Sequence, residues 1–212
     1  MTMQVSKEKK NISTALYFSI VSSFLLITIN IVRWHLIEII TVFLEPLVEL
    51  SIGLVFLASL ISGVVYCVRT IRNEKFAALM PITISIVTIL IVCFVPFTDI
   101  MLARDFNSNL KDREKVVSII KTGKLVPNIS HNESLIALPK EYAHLSKGGG
   151  ELVVKMEGDT LKVFFYTFRG VLDNFSGFAY ISDDTALYQG DFNGDFHQIK
   201  KKKEHWYWGG SK

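Results

Sequence analysis

The chain carries two cysteines in 212 residues and none after Cys93. A disulfide framework is thereby excluded from its second half, which packing alone must hold together. Cys67 and Cys93 fall in different apolar runs, at depths roughly 24 Å apart at the helical rise, so they cannot bridge one another.

Charge is the second scarcity. Between residues 15 and 103 only Arg33, Glu38, Glu45, Glu49, Arg69, Arg72, Glu74, Lys75 and Asp99 carry it, at the ends of or between three apolar runs. No ionisable group stands at the middle depth of a run, where a transport path usually places one. After Arg104 the balance is 15 Lys and Arg against 14 Asp and Glu, which excludes a basic nucleic-acid surface. Signatures of chemistry are missing as well. His131, His144, His197 and His205 show no HxxxH or HExxH spacing, so no metal site is assigned. No G-x-S-x-G elbow frames a serine, no catalytic residue is assigned and no cofactor is expected, so a noncatalytic protein is favoured over an enzyme.

What is present is three apolar runs, 16–32, 47–68 and 76–97. A helix crosses a hydrocarbon core of about 30 Å with roughly 20 residues, so each run predicts one span. The spans are placed at about 13–33, 46–68 and 77–98, giving a transmembrane region over 1–104 and a polar domain over 105–212. The basic leader Lys7, Lys9 and Lys10 precedes a run longer than a signal-peptide core, and no small-x-small site follows, so an uncleaved signal anchor is expected. Lysine and arginine concentrate in that leader and in Arg69, Arg72 and Lys75, while Glu38, Glu45 and Glu49 outnumber Arg33 in the first connection. Basic loops remain in the cytoplasm. The expected arrangement is a multi-pass cell-membrane protein with a cytoplasmic amino terminus and an extracytoplasmic carboxy-terminal domain.

Small polar residues repeat within the spans, Ser19 with Ser23 and Ser59 with Gly63, and predict close helix packing. The stretch 33–46 is too short to cross again. With Trp34 at interfacial depth and its glutamates on one helical face, it is expected to lie along the outer surface. His35 and Glu38, one turn apart, read as a wet interfacial pair rather than metal ligands.

The polar domain opens with a predicted helix over 108–122, its apolar face carrying Leu110, Val116 and Ile120 and its end marked by Gly123. Short strands follow at 134–138, 151–156, 161–168, 177–182, 195–199 and 205–208, separated by Gly and Asn turns. The run Val163-Phe164-Phe165-Tyr166-Thr167-Phe168 predicts a central strand covered on both faces. The fold class is therefore α+β: a three-helix transmembrane region followed by a small, mostly antiparallel sheet with one packed helix. The cover of the sheet's second face cannot be read.

Several local patterns invite a chemical reading. Ser118 and Lys121 match S-x-x-K, and Lys121-Thr122-Gly123 matches K-T-G, but the two overlap, whereas serine enzymes bearing these motifs draw them from separate elements. Lys121 reads instead as a cation at a helix end. Asp191, Asn193 and Asp195 resemble the start of a calcium loop, yet Phe196 replaces the required glycine and Lys202 the final glutamate, so an Asn-Gly turn is expected. A weak calcium site from Asp191 and Asp195 with Asp183 or Asp184 is the alternative. Lys147-Gly148-Gly149-Gly150 reads as a flexible connection before a strand. The block Lys200, Lys201, Lys202 and Lys203 reads as an edge or turn, or as a contact for anionic lipid or envelope polymer beside Trp206 and Trp208. In the long connection 169–177, Arg169, Asp173 and Asn174 are the remaining candidates for a contact site.

The segments LPKEY at 138–142, LSKGGG at 145–150 and FYTFRGVLDNFSGF at 165–178 resemble a pattern in uncharacterised membrane proteins of Gram-positive, Bacillus-like bacteria. The resemblance implies a Gram-positive envelope and carries no activity. Together these features predict an integral membrane protein that presents a noncatalytic binding, sensing or accessory module, with an envelope hydrolase and a small transporter or pore component as alternatives. Its expected partners are membrane lipid and a protein or envelope ligand, with no nucleic acid.

Overall fold

A computed structural model describes residues 2–130, 132–170 and 174–211, and the side chains of 2–13, 34–35, 37–39, 41–42 and 73–74 lie outside that description. The candidate residues Asp173 and His131, and the side chains of Trp34, His35 and Glu38, therefore lie outside the described set. The chain divides into two compact units, Met1–Ile100 and Met101–Lys212.

The first unit is helical. α1 (Thr2–Glu74) is one helical run with Pro46 inside it, a turn of 3-10 helix follows at Lys75–Leu79, and α2 (Met80–Phe94) completes the unit. Ser59 Oγ nonetheless lies 3.5 Å from Ser19 Oγ, whereas 40 residues of straight helix would separate them by about 60 Å. The run therefore doubles back. The reversal falls between Arg33 and Glu45, whose side chains meet at 2.8 Å, with Glu49 also 3.1 Å from the same guanidinium. The stretch expected to lie along the surface is thus a part of α1, and the glutamates of its far side hold the arginine of its near side.

Three helical stretches, Thr14–Arg33, Phe43–Arg72 and Lys75–Phe94, are long and apolar enough to cross a membrane. Their packing is inside-out relative to a soluble bundle. Ser19, Ser22, Ser59, Ser85 and Thr88 are buried, while Phe24, Leu50, Leu54 and Phe94 face outward. Small residues allow close helix approach and large ones meet lipid, so this distribution fits a membrane-spanning bundle. At Gly63 the added Cβ of any other residue would lie 3.3 Å from the Cβ of Pro81, which marks where α2 closes on α1. The third stretch ends where Val95 turns extended ahead of Pro96.

The second unit is a six-stranded antiparallel sheet with a helix on one face. α3 (Phe97–Lys121) begins 11 residues before its predicted start, because Leu102 and Phe106 continue the buried stripe among residues that read as a polar connection. Gly123 closes it by donating to the Ile120 carbonyl at 2.9 Å. The strands are β1 (Leu135–Ala137), β2 (Glu151–Glu157), β3 (Thr160–Arg169), β4 (Phe175–Ile181), β5 (Phe196–Lys203) and β6 (Trp206–Ser211), in the order β1-β2-β3-β4-β6-β5. All six predicted strands are present, and β3 lies inside the sheet.

Alternation along the strands sorts the core into two layers. Val163, Phe165, Phe178, Tyr180, Trp206 and Trp208 pack with Leu102, Phe106, Val116, Val117 and Ile120 of α3. Phe164, Tyr166, Ala179, Ile181 and Tyr207 face the other way and pack with Leu187, Phe192 and Phe196. The cover of the second face is therefore the connection between β4 and β5, and it includes the Asp191–Asn193 turn.

Each face of the sheet carries one buried cation among the described residues. On the helix side, Arg113 is 1% exposed, bonds Asp105 at 2.6 Å and lies 4.7 Å over the Phe178 ring. Burial pushes its guanidinium pKa down, and the Asp105 charge offsets part of that. On the loop side, Lys162 of β3 is 4% exposed and bonds Asp191 at 2.7 Å.

Candidate functional site

The side of the sheet that carries α3 holds two clefts, and Lys121 borders both. Lys121 stands in the last turn of α3 and donates to the phenol of Tyr180 at 2.8 Å, so one contact ties the helix end to β4. The first cleft, about 410 Å³, runs from Lys121 to the β2–β3 turn and is walled by Leu125, Val126, Val154 and Met156, with Asp159 at its edge. Val126 and Met156 are more than half exposed, so the wall is apolar and open.

The second cleft, about 380 Å³, is polar and brings together Glu114, Ser118, Lys121, Lys203 and His205 over the edge of Trp206. The β-bulge between Lys201 and Lys203 turns Lys203 onto the α3 face, where its ammonium meets Glu114 at 2.9 Å. His205 occupies the two-residue β5–β6 turn with φ of 65°, and Nδ1 stands 3.1 Å from the Ile181 carbonyl. Its backbone N–H donates to Asp184 at 2.6 Å. The ammonium of Lys201, 2.7 Å away, with this N–H and the Tyr207 phenol, holds the Asp184 carboxyl below its ordinary pKa. Hydrogen bonds from Thr160 and Thr185 hold Asp183 lower still, at about 2.

These bonds account for the acidic residues of the candidate calcium site. Asp191 is committed to Lys162 and to the Tyr188 amide, Asp195 to Gln189 and His197, Asp183 to two threonines, and Asp184 to Lys201. The expected Asn-Gly turn is instead a 3-10 turn at Asp191–Asn193, with φ of 56° at Phe192 and 60° at Asn193, that folds Phe192 onto the sheet. Among the described residues no three His, Cys, Asp or Glu side chains converge on a point that holds a metal.

The remaining residues read from the sequence divide between opposite ends of the sheet. Lys203 and Trp206 line the polar cleft. Arg169 and Asn174 stand at the other end of β3 and β4, about 26 Å along the strand from Leu161 at 3.3 Å per residue. There Arg169 bonds Glu151 at 2.7 Å and lies 5.0 Å over the Tyr166 ring, so its ion pair crosses to β2. Asn174 is exposed, and its carbonyl accepts from Gly170 at 2.8 Å. The glycines of 148–150 all have positive φ, and their turn packs against the Arg169 stem. Lys200 and Lys201 lie over Trp208 and Tyr207 on the edge strand β5, and Lys202, next along it, is half-buried. Trp206 and Trp208 belong to the core, with Trp206 1% exposed, and the tryptophans therefore act chiefly as packing. Sequence reading singled out neither Tyr180 nor Glu114 for a site and weighed His205 only as a metal ligand. The S-x-x-K spacing had marked Ser118 and Lys121, which share a helix face on the cleft.

No protein-family profile, no curated protein and no solved structure matches this chain.

Proposed function

We propose that this membrane-spanning protein displays its six-stranded domain outside the cytoplasm as a noncatalytic binding or sensing module, with the polar cleft along α3 as its contact. One observation carries the reading: both lysines on the cleft are held by a neighbour, Lys203 by the Glu114 carboxylate and Lys121 by the Tyr180 phenol. Such an arrangement presents fixed donors and acceptors to a ligand. The placement outside rests on the basic leader and the Arg69, Arg72 and Lys75 cluster.

A photocrosslinking side chain at Ser118, an exposed position on the cleft, tests this in the full-length protein in its own membrane. A discrete adduct is expected, and Lys121→Glu in the same chain is expected to abolish it. The same adduct from a probe at the exposed Glu133, or none from Ser118, contradicts the assignment.

A further inference from the structure

The helical unit contains a cleft of its own, unrelated to the module above. It opens between the two arms of α1, has a volume of about 380 Å³, and is lined by Thr14, Ser62, Val65, Tyr66, Arg69 and Thr70 together with Ala15. We infer that this cleft binds the phosphate headgroup of an anionic phospholipid, with Arg69 as its charged contact.

Depth is the first argument. The first membrane-length stretch begins at Thr14 and the second ends at Arg72, so the cleft opens at the same end of both. Arg69 is one helical turn from that end, and Ser62 is about 15 Å from it at 1.5 Å per residue. The charged mouth, with Thr14 and Ala15 beside it, stands at headgroup level while Ser62 and Val65 line the part that reaches acyl-chain depth. An amphiphile fits that gradient.

Charge is the second argument. Arg33, at the reversal, is neutralised by Glu45 at 2.8 Å and Glu49 at 3.1 Å. Arg69, at the opposite end, is exposed, and among the described residues no carboxylate pairs with it. Arg72 and Lys75 follow it, and the sequence adds Lys7, Lys9 and Lys10 against Glu8 and Glu74. A guanidinium engages phosphate oxygens through two parallel N–H donors, and basic pockets between membrane helices select anionic headgroups. Phosphate, unlike a protein carboxylate, is supplied by the bilayer at this depth.

Native mass spectrometry of the full chain, released from detergent with defined additives, decides the matter. Retention of phosphatidylglycerol is expected to exceed that of phosphatidylcholine by about tenfold. Arg69→Gln is expected to reduce it to the phosphatidylcholine level, Ser62→Leu to reduce it by filling the cleft, and Arg104→Gln, which removes a cation elsewhere, to leave it unchanged. Equal retention of the two lipids by the unmodified chain overturns the proposal, as does undiminished phosphatidylglycerol binding in both cleft variants. Displacement of the bound lipid by millimolar inorganic phosphate would assign the site to a soluble anion and overturn the lipid assignment.

Discussion

Asp191→Ala is expected to destabilise the sheet domain by about 3 to 5 kcal/mol, the usual consequence of leaving a buried cation without its partner. Lys162 projects from β3 into the second core layer with 4% exposure, and Asp191 is its buried counter-charge. Glu157 also reaches the ammonium at 2.7 Å, but its side chain is 54% exposed and cannot replace a desolvated carboxylate. The same substitution takes an acceptor from the Tyr188 amide, so the β4–β5 connection loses its tie to the sheet just where Phe192 covers Phe164. For a domain of about a hundred residues the loss corresponds to a fall in Tm of at least about 10 °C. Hydrogen exchange of the β3 and β4 amides in the detergent-solubilised full chain measures it. Lys162→Met in the Asp191→Ala background removes the stranded charge and is expected to recover most of the stability. Desolvation alone would lower the Lys162 pKa, but the hydrogen bonds and charges of Asp191 and Glu157 outweigh it and raise the folded value. The stabilisation from that pair is therefore full below the unfolded lysine pKa and is lost as pH rises through the folded one. A double variant as unstable as Asp191→Ala would show that the pair is not what anchors the loop.

Gly177→Val is expected to prevent the sheet from closing. A Cβ at this position would overlap the Phe165 carbonyl oxygen and stand 2.5 Å from the Phe164 ring. The first obstacle is main chain of the neighbouring strand and cannot rotate away. The second is a ring with 0% exposure, packed among Tyr166, Phe175, Phe192 and Phe196. Gly177 faces Tyr166 beside the register shift between Tyr166 and Phe168, so the close approach belongs to the bulge itself. Overpacking in a filled core costs about 1 to 3 kcal/mol, and more when backbone must move. The expected result is loss of slow-exchanging amides throughout β3, β4 and β6, with the helical unit still protected. Retention of native protection in those strands would mean that the bulge is not fixed by this contact.

The fold was legible wherever periodicity is strong. The unbroken apolar run of β3 announced a central strand covered on both faces, turn residues marked off the other strands, and the apolar runs announced the membrane-length helices. Reading failed where a residue's role depends on distant partners. The early start of α3 was hidden because Asp99, Arg104 and Asp105 look like a polar connection, although Leu102 and Phe106 continue the apolar stripe between them. The loop covering the second face offers only Leu187 and Phe192 as apolar anchors, too few to register as an element. The reversal between the first two spans was expected, but not the ion pair at it, because glutamate at 45 and 49 reads as water-facing until Arg33 is brought against it. At the site, the lysine block and Trp206 drew attention by composition. The contact that joins the two clefts, Lys121 to Tyr180, spans 59 residues and has no local signature.

The central claim is that the apolar helices cross the membrane and leave the sheet domain on the outer side. The domain contains no cysteine, so one introduced at the exposed Asn174 reports its location against a background of only Cys67 and Cys93. With Asn174→Cys in intact cells, a membrane-impermeant maleimide is predicted to label the chain as fully as after lysis. Labelling that appears only after lysis would place the domain in the cytoplasm and contradict the account.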